Sequence, residues 1–220
     1  MDELINIVKK DIGSYLKKEH SEILFNERDF QMHLATYLKE SGHYDDVDLE
    51  YYVPTDILNG YRELWDTELR IDILVRKEKE YCPIELKYKT KQIKSSLKRF
   101  GELVKDVVIV KNQGAQNLGM YGFWKDVKRV EMVKDRFGGV TSGVVVFLTN
   151  DDLYMKPSRK DSNNYQFTMC EGVNSRSKRW QRDTKITSAY KDFDLSKDYN
   201  ITWNEAMFDN YLFHYCIVEI

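Results

Sequence analysis

Two short segments place two acids and a lysine where they could act on a phosphate ester. Between Leu69 and Val75, the residues Leu69, Ile71, Ile73 and Val75 alternate with Arg70, Asp72 and Leu74; between Cys82 and Tyr88, the residues Cys82, Ile84, Leu86 and Tyr88 alternate with Pro83, Glu85 and Lys87. A period of two marks both as strands, and the short charged link Lys77-Glu78-Lys79-Glu80 predicts a hairpin. In that register Arg76 faces Tyr81, Leu74 faces Pro83 and Asp72 faces Glu85, with Arg70 facing Lys87 further along. Directly opposed side chains sit with Cβ atoms about 5 Å apart, so two carboxylates there repel each other. A divalent cation removes that conflict, and hard oxygens suit Mg²⁺ or Mn²⁺, which bind through one or two carboxylates and share the rest with water and phosphate. Lys87, on the same strand face as Glu85, can hold an attacking water and offset negative charge building on phosphorus. An acid–x–lysine pattern also occurs on the plain solvent face of a hairpin, so a third element is needed to separate the two readings.

Glu27 supplies it. Asn26 is predicted to cap a helix, with Asp29 three residues later completing a box-like start and Ser41-Gly42 ending it. Phe30, Leu34, Tyr37 and Leu38 form the apolar stripe of that helix, and Glu27 and Gln31 lie on it. A carboxylate on a buried stripe needs a partner. The alternative is that Glu27 only complements the helix dipole.

The elements around these residues are legible in outline. Leu4, Ile5, Val8, Ile12 and Leu16 predict a helix over residues 2–18 with Asp2 as its cap. Val47, Leu49, Tyr51 and Val53 predict a strand halted by Pro54, and residues 54–67 read as irregular with a short helical turn. Apolar runs around Leu103 and at Val107–Val110 predict a second hairpin. A helix is expected from Ala115 to Lys134, closed by Gly138-Gly139, and Val144–Leu148 reads as a buried strand parallel to its predecessor. Beyond it a strand is expected at Tyr165–Met169, and Tyr211–Ile220 forms a last apolar run. With no repeat and no low-complexity tract, the expectation is one domain over residues 1–220. It would be α/β (α+β mixed).

A helix carrying Glu27, a strand, then Asp72, then Glu85-x-Lys87, a helix and a further strand: this order resembles the PD-(D/E)XK, or restriction-endonuclease-like, superfamily. The resemblance covers about residues 20–150 and rests on Pro83-Ile84-Glu85-Leu86-Lys87 with Asp72 upstream, leaving about 151–220 as a C-terminal extension that completes the domain. It implies a restriction-endonuclease-like core, with a central mixed β-sheet flanked by helices, and hydrolysis of phosphodiester bonds with Mg²⁺ (or Mn²⁺). Asp72 and Glu85 would be metal ligands, Lys87 the catalytic lysine and Glu27 the helix acid supporting the metal site. Ile71 stands where many members have proline. The glutamine and tyrosine that some members carry four residues apart on the later helix are absent or displaced, since Gln116 is followed by Met120 and Tyr121. Gln31 and Gln113 are accessory candidates.

Charge does not decide the partner: charged residues make up 32% of 220, yet the net charge is only −2. Binding to nucleic acid must therefore rest on local patches. Lys89, Lys91 and Lys94 follow the motif directly, and Arg179 lies beside Trp180 in a second basic stretch; phosphate contact is one reading and a solvated surface the other. Cys82, Cys170 and Cys216 form no CxxC pair, and the four histidines lack ligand spacing. Cys82 reads as buried and inert. The loop Phe137–Gly143 lacks the Gly-Lys-Ser/Thr ending of a P-loop. No secretory leader and no membrane span are read in the sequence, so a cytoplasmic setting is the expectation. The expected function is a Mg²⁺-dependent nuclease acting on DNA in restriction, repair or defence, with a homodimer open. The alternative is a non-catalytic nucleic-acid- or protein-binding module that keeps the fold.

Overall fold

A computed structural model describes residues 3–185 and 187–220. In chain order the elements are helix α1 (Leu4–Lys17), helix α2 (Glu27–Glu40), strand β1 (Asp46–Val53), the short helix α3 (Tyr61–Leu64), and strands β2 (Leu69–Lys77), β3 (Glu80–Lys89), β4 (Ile93–Arg99) and β5 (Glu102–Val110). Helix α4 (Gln116–Arg136) and strand β6 (Val144–Thr149) follow, then short strands β7 (Gly172–Asn174), β8 (Ser177–Lys178), β9 (Phe193–Asp194) and β10 (Tyr199–Ile201), and finally β11 (Trp203–Phe208) and β12 (Tyr211–Glu219). The expected cap Asp2 lies outside the described residues.

The central sheet is mixed and has the order β1-β2-β3-β6-β12-β11. Only β3 and β6 run parallel; the other neighbours are antiparallel. Strand β6 is buried along its whole length, because Val144, Val146 and Leu148 join the core under α1 and α2 while Val145 and Phe147 join the core under α4. Its parallel partner is β3, the strand before the excursion, since β4 and β5 leave to form a separate two-stranded ribbon.

Helix α2 starts where its cap residues require. Asn26 Oδ1 accepts the Asp29 N–H at 2.9 Å and Asp29 Oδ2 accepts the Phe25 N–H at 3.0 Å. Helix α4 lies close on the sheet at Gly143, where an added Cβ would stand 2.2 Å from Val130 and 3.3 Å from Pro83. Strand β1 forms where expected, ending before Pro54; as the sheet edge it leaves Leu49 and Tyr51 exposed, while Val47 is half-buried and Val53 buried. One expectation needs correction. Tyr165–Phe167 is a 3₁₀ turn rather than a strand, which still buries Phe167 and Met169 beneath α4.

Candidate active site

The hairpin register is the expected one where the β2–β3 ladder exists, from Lys77 opposite Glu80 to Ile73 opposite Ile84. There it stops. Beyond it the Leu86 N–H is donated to Asp72 Oδ2 at 2.7 Å, and the Tyr88 N–H to Glu27 Oε2 at 2.8 Å. Carboxylates from β2 and α2 thus take the β3 amides that an unbroken ladder would pair with backbone. Arg70 consequently does not meet Lys87; it pairs with Glu68 at the surface, 3.2 Å away.

Gln31 fixes the parting strand. Its Nε2 donates to the Asp72 carbonyl at 2.6 Å and to Glu50 Oε1 at 3.0 Å, tying α2 to β2 and to the edge strand at the position of Asp72. Glu50 adopts a left-handed φ of 51° there. Sequence reasoning placed Gln31 among the accessory residues and missed Glu50.

Helix α4 closes the other side. It runs along β3 so that Lys87 Nζ lies 2.8 Å from Asp126 Oδ2, and Arg129 Nη1 lies 3.2 Å from Glu85 Oε1 and 3.4 Å from Asp126 Oδ1. Arg129 also rests over Trp65, 5.5 Å from the ring centroid, and Trp65 stacks on Tyr61. Asp126 and Arg129 were missed. A signal existed: Asp126 is one turn from Val130 and two from Val133 on the buried face of α4, the same reason that singled out Glu27.

Charge and burial set the protonation behaviour. Burial raises Asp72 from about 3.8 to about 6; the Leu86 N–H and Lys87 oppose the rise, while Asp126 and Glu27 reinforce it. Glu85 is pushed well above its usual range, first by burial and then by Asp72 and Asp126, although Arg129 and Lys87 pull it down. Burial alone would lower Lys87, but Asp126, Glu27 and Glu85 outweigh it and hold the ammonium protonated. Repulsion between the strand acids is therefore eased by Arg129 of α4 and by Lys87 of β3 itself.

Four carboxylates (Glu27, Asp72, Glu85, Asp126) gather around Lys87 and Arg129, with Lys89 and Lys125 near enough to act on the same acids. Hydrogen bonds engage Asp72 Oδ2 and Glu85 Oε1, one oxygen of each acid. Hard carboxylate oxygens from two adjacent strands, with burial favouring their neutral forms while no metal is bound, fit a divalent ion. Among the described residues no three His, Cys, Asp or Glu side chains form a ready-made metal cluster. Two carboxylates completed by water and phosphate are nonetheless the usual Mg²⁺ arrangement.

The basic candidates separate. Lys89 is half-buried beside Lys87, and burial, then Lys87, lowers its pKa. Lys91 is held by Asp151 at 3.0 Å and Asp152 at 2.8 Å, so its charge is matched internally. Lys94 is exposed on the β4–β5 ribbon. Arg179 is turned to Asp194 and to the Phe193 carbonyl. Gln113 binds Thr90 through its backbone, with its side-chain oxygen buried and without a partner among the described residues; Gln116 bonds Asp151 at 2.9 Å. Cys82 is fully buried and its thiol is pushed up to about 12 by that burial. No family model matches the chain, and no curated protein or solved structure matches it.

Proposed function

We propose that this chain is a metal-dependent nuclease of the PD-(D/E)XK type that hydrolyses phosphodiester bonds in DNA with Mg²⁺ or Mn²⁺, in restriction, repair or defence. The observation that carries the reading is the parting of β2 from β3, where Glu27, Asp72, Glu85 and Lys87, drawn from three elements, meet the charged face of α4. The element order α2-β1-β2-β3-α4-β6, with β6 parallel to β3, supports it further.

On this reading Asp72 and Glu85 hold the metal, which supplies Lewis-acid activation of phosphate and of a bound water. Lys87 acts through charge: with Asp126 keeping it protonated, it is no general base but a fixed cation for the nucleophile and the developing phosphorane charge. Asp126 positions Lys87, and Glu27 positions β3 through the Tyr88 N–H. Lys89 and Lys94 extend a phosphate track away from the site, while Lys91 and Arg179 are neutralised and contribute little to it.

A second reading rests on the same ion pairs. Lys87–Asp126 and Arg129–Glu85 compensate the cluster internally, as suits a module that keeps the fold only to bind. Calorimetric titration with Mn²⁺ separates the two. The nuclease reading expects binding that disappears in Asp72→Ala and survives in Lys87→Ala; binding indifferent to Asp72 would overturn it.

A further inference from the structure

The Arg129 side chain is half-buried, yet it is incompletely used. Nη1 serves Glu85 and Asp126, while Nε has no partner among the described residues. A buried guanidinium N–H without an acceptor is costly, so its retention calls for a partner that the resting protein lacks. Besides these ion pairs, the side chain rests over the Trp65 ring. Lys125 lies over the same ring at 4.8 Å, its ammonium tied to the Leu64 carbonyl, so a second cation flanks Arg129 on that side.

We propose that Arg129 is an exchangeable counter-ion: it occupies the charge position of a divalent cation in the metal-free site, and with metal present it passes from Glu85 to the phosphate of the substrate. The inference rests on the nuclease reading and adds to it a residue outside the motif. The planar fork suits both partners, since it bonds carboxylate and phosphate alike in bidentate fashion. The Nε–H then gains the acceptor it lacks, and Asp126 keeps hold of Lys87 throughout.

The exchange makes Arg129 a competitor of the metal and an ally of the reaction, a combination that a purely structural arginine would not show. The test compares the wild-type protein with Arg129→Gln, which keeps a polar amide but no charge, and Arg129→Lys, which keeps charge but no fork. Mn²⁺ affinity is read by calorimetry and by the rise in Tm on adding Mn²⁺, and cleavage of labelled DNA at saturating Mn²⁺ gives the second readout. Arg129→Gln is expected to bind Mn²⁺ about tenfold more tightly and to cleave about 100-fold more slowly, with Arg129→Lys between it and wild type in both. If wild type cleaves but Arg129→Gln binds Mn²⁺ no more tightly, or cleaves equally fast, the exchange is refuted while the nuclease reading stands. Absence of Mn²⁺ binding and of cleavage in all three proteins overturns both.

Discussion

Asp72 carries two duties that pull its proton in opposite directions. As the acceptor of the Leu86 N–H it should be ionised, yet burial among Asp126 and Glu27 raises it to about 6. Because its folded pKa exceeds the ordinary value of about 3.8, the metal-free native state binds this proton more tightly than the unfolded chain does. Its stabilising contribution is thus complete below about pH 4 and lost as pH rises through about 6, a difference of about 3 kcal/mol by pH 8. Asp72→Asn keeps an acceptor for Leu86 and cannot ionise, so in EDTA it should be more stable than wild type at pH 8 by about 3 kcal/mol and show no gain at pH 4. Urea unfolding at the two pH values checks this; equal stabilities at pH 8 would refute the assigned burial cost. Asp72, Glu85, Lys87 and Glu27 were legible because period-two and helical spacing each leave a polar residue on a face that must be answered. Arg129 and Asp126 were not, because α4 was recognised by its apolar positions alone. The Glu85–Arg129 pair also joins residues 44 apart, a distance that local spacing does not encode.

Elements decide whether these side chains meet. Two contacts govern the approach of α4 to β3: the ion pairs, and the bare backbone at Gly143 against Val130 and Pro83. Gly143→Ala should push α4 outward, lowering stability by about 1–3 kcal/mol and weakening the Lys87–Asp126 and Arg129–Glu85 pairs together. A drop in Tm accompanied by lost cleavage is expected, and an unchanged Tm would show that the approach has slack. The element boundaries came through well where a cap or a turn residue sits, as at Asn26, Ser41-Gly42 and Gly138-Gly139. Reading failed at Tyr165–Phe167, where tertiary packing overrode pattern and the aromatic run forms a turn; the alternation of β1 gave the strand but not its exposure as the sheet edge.

At the scale of the molecule, residues 151–220 are part of the core rather than an appendage. Strand β12 pairs with β6 and carries β11 beyond it, so β6 becomes an interior strand. Buried Glu131 on α4 accepts from the Ser196 N–H and hydroxyl and from the Tyr199 hydroxyl, fastening the C-terminal part to the helix that closes the site. A chain ending at residue 150 should therefore lose its cooperative unfolding transition, since β6 would be left as an apolar edge; a sharp two-state melt of that fragment would contradict this. The most direct test of the central claim is cleavage itself. Purified wild-type protein and Lys87→Ala would be incubated with labelled single- and double-stranded DNA in Mg²⁺, in Mn²⁺ and in EDTA. Cleavage by wild type that needs the metal and falls about 100-fold or more in Lys87→Ala is the expected result. Wild type leaving every DNA intact with either metal, or cleaving as fast in EDTA, would contradict it.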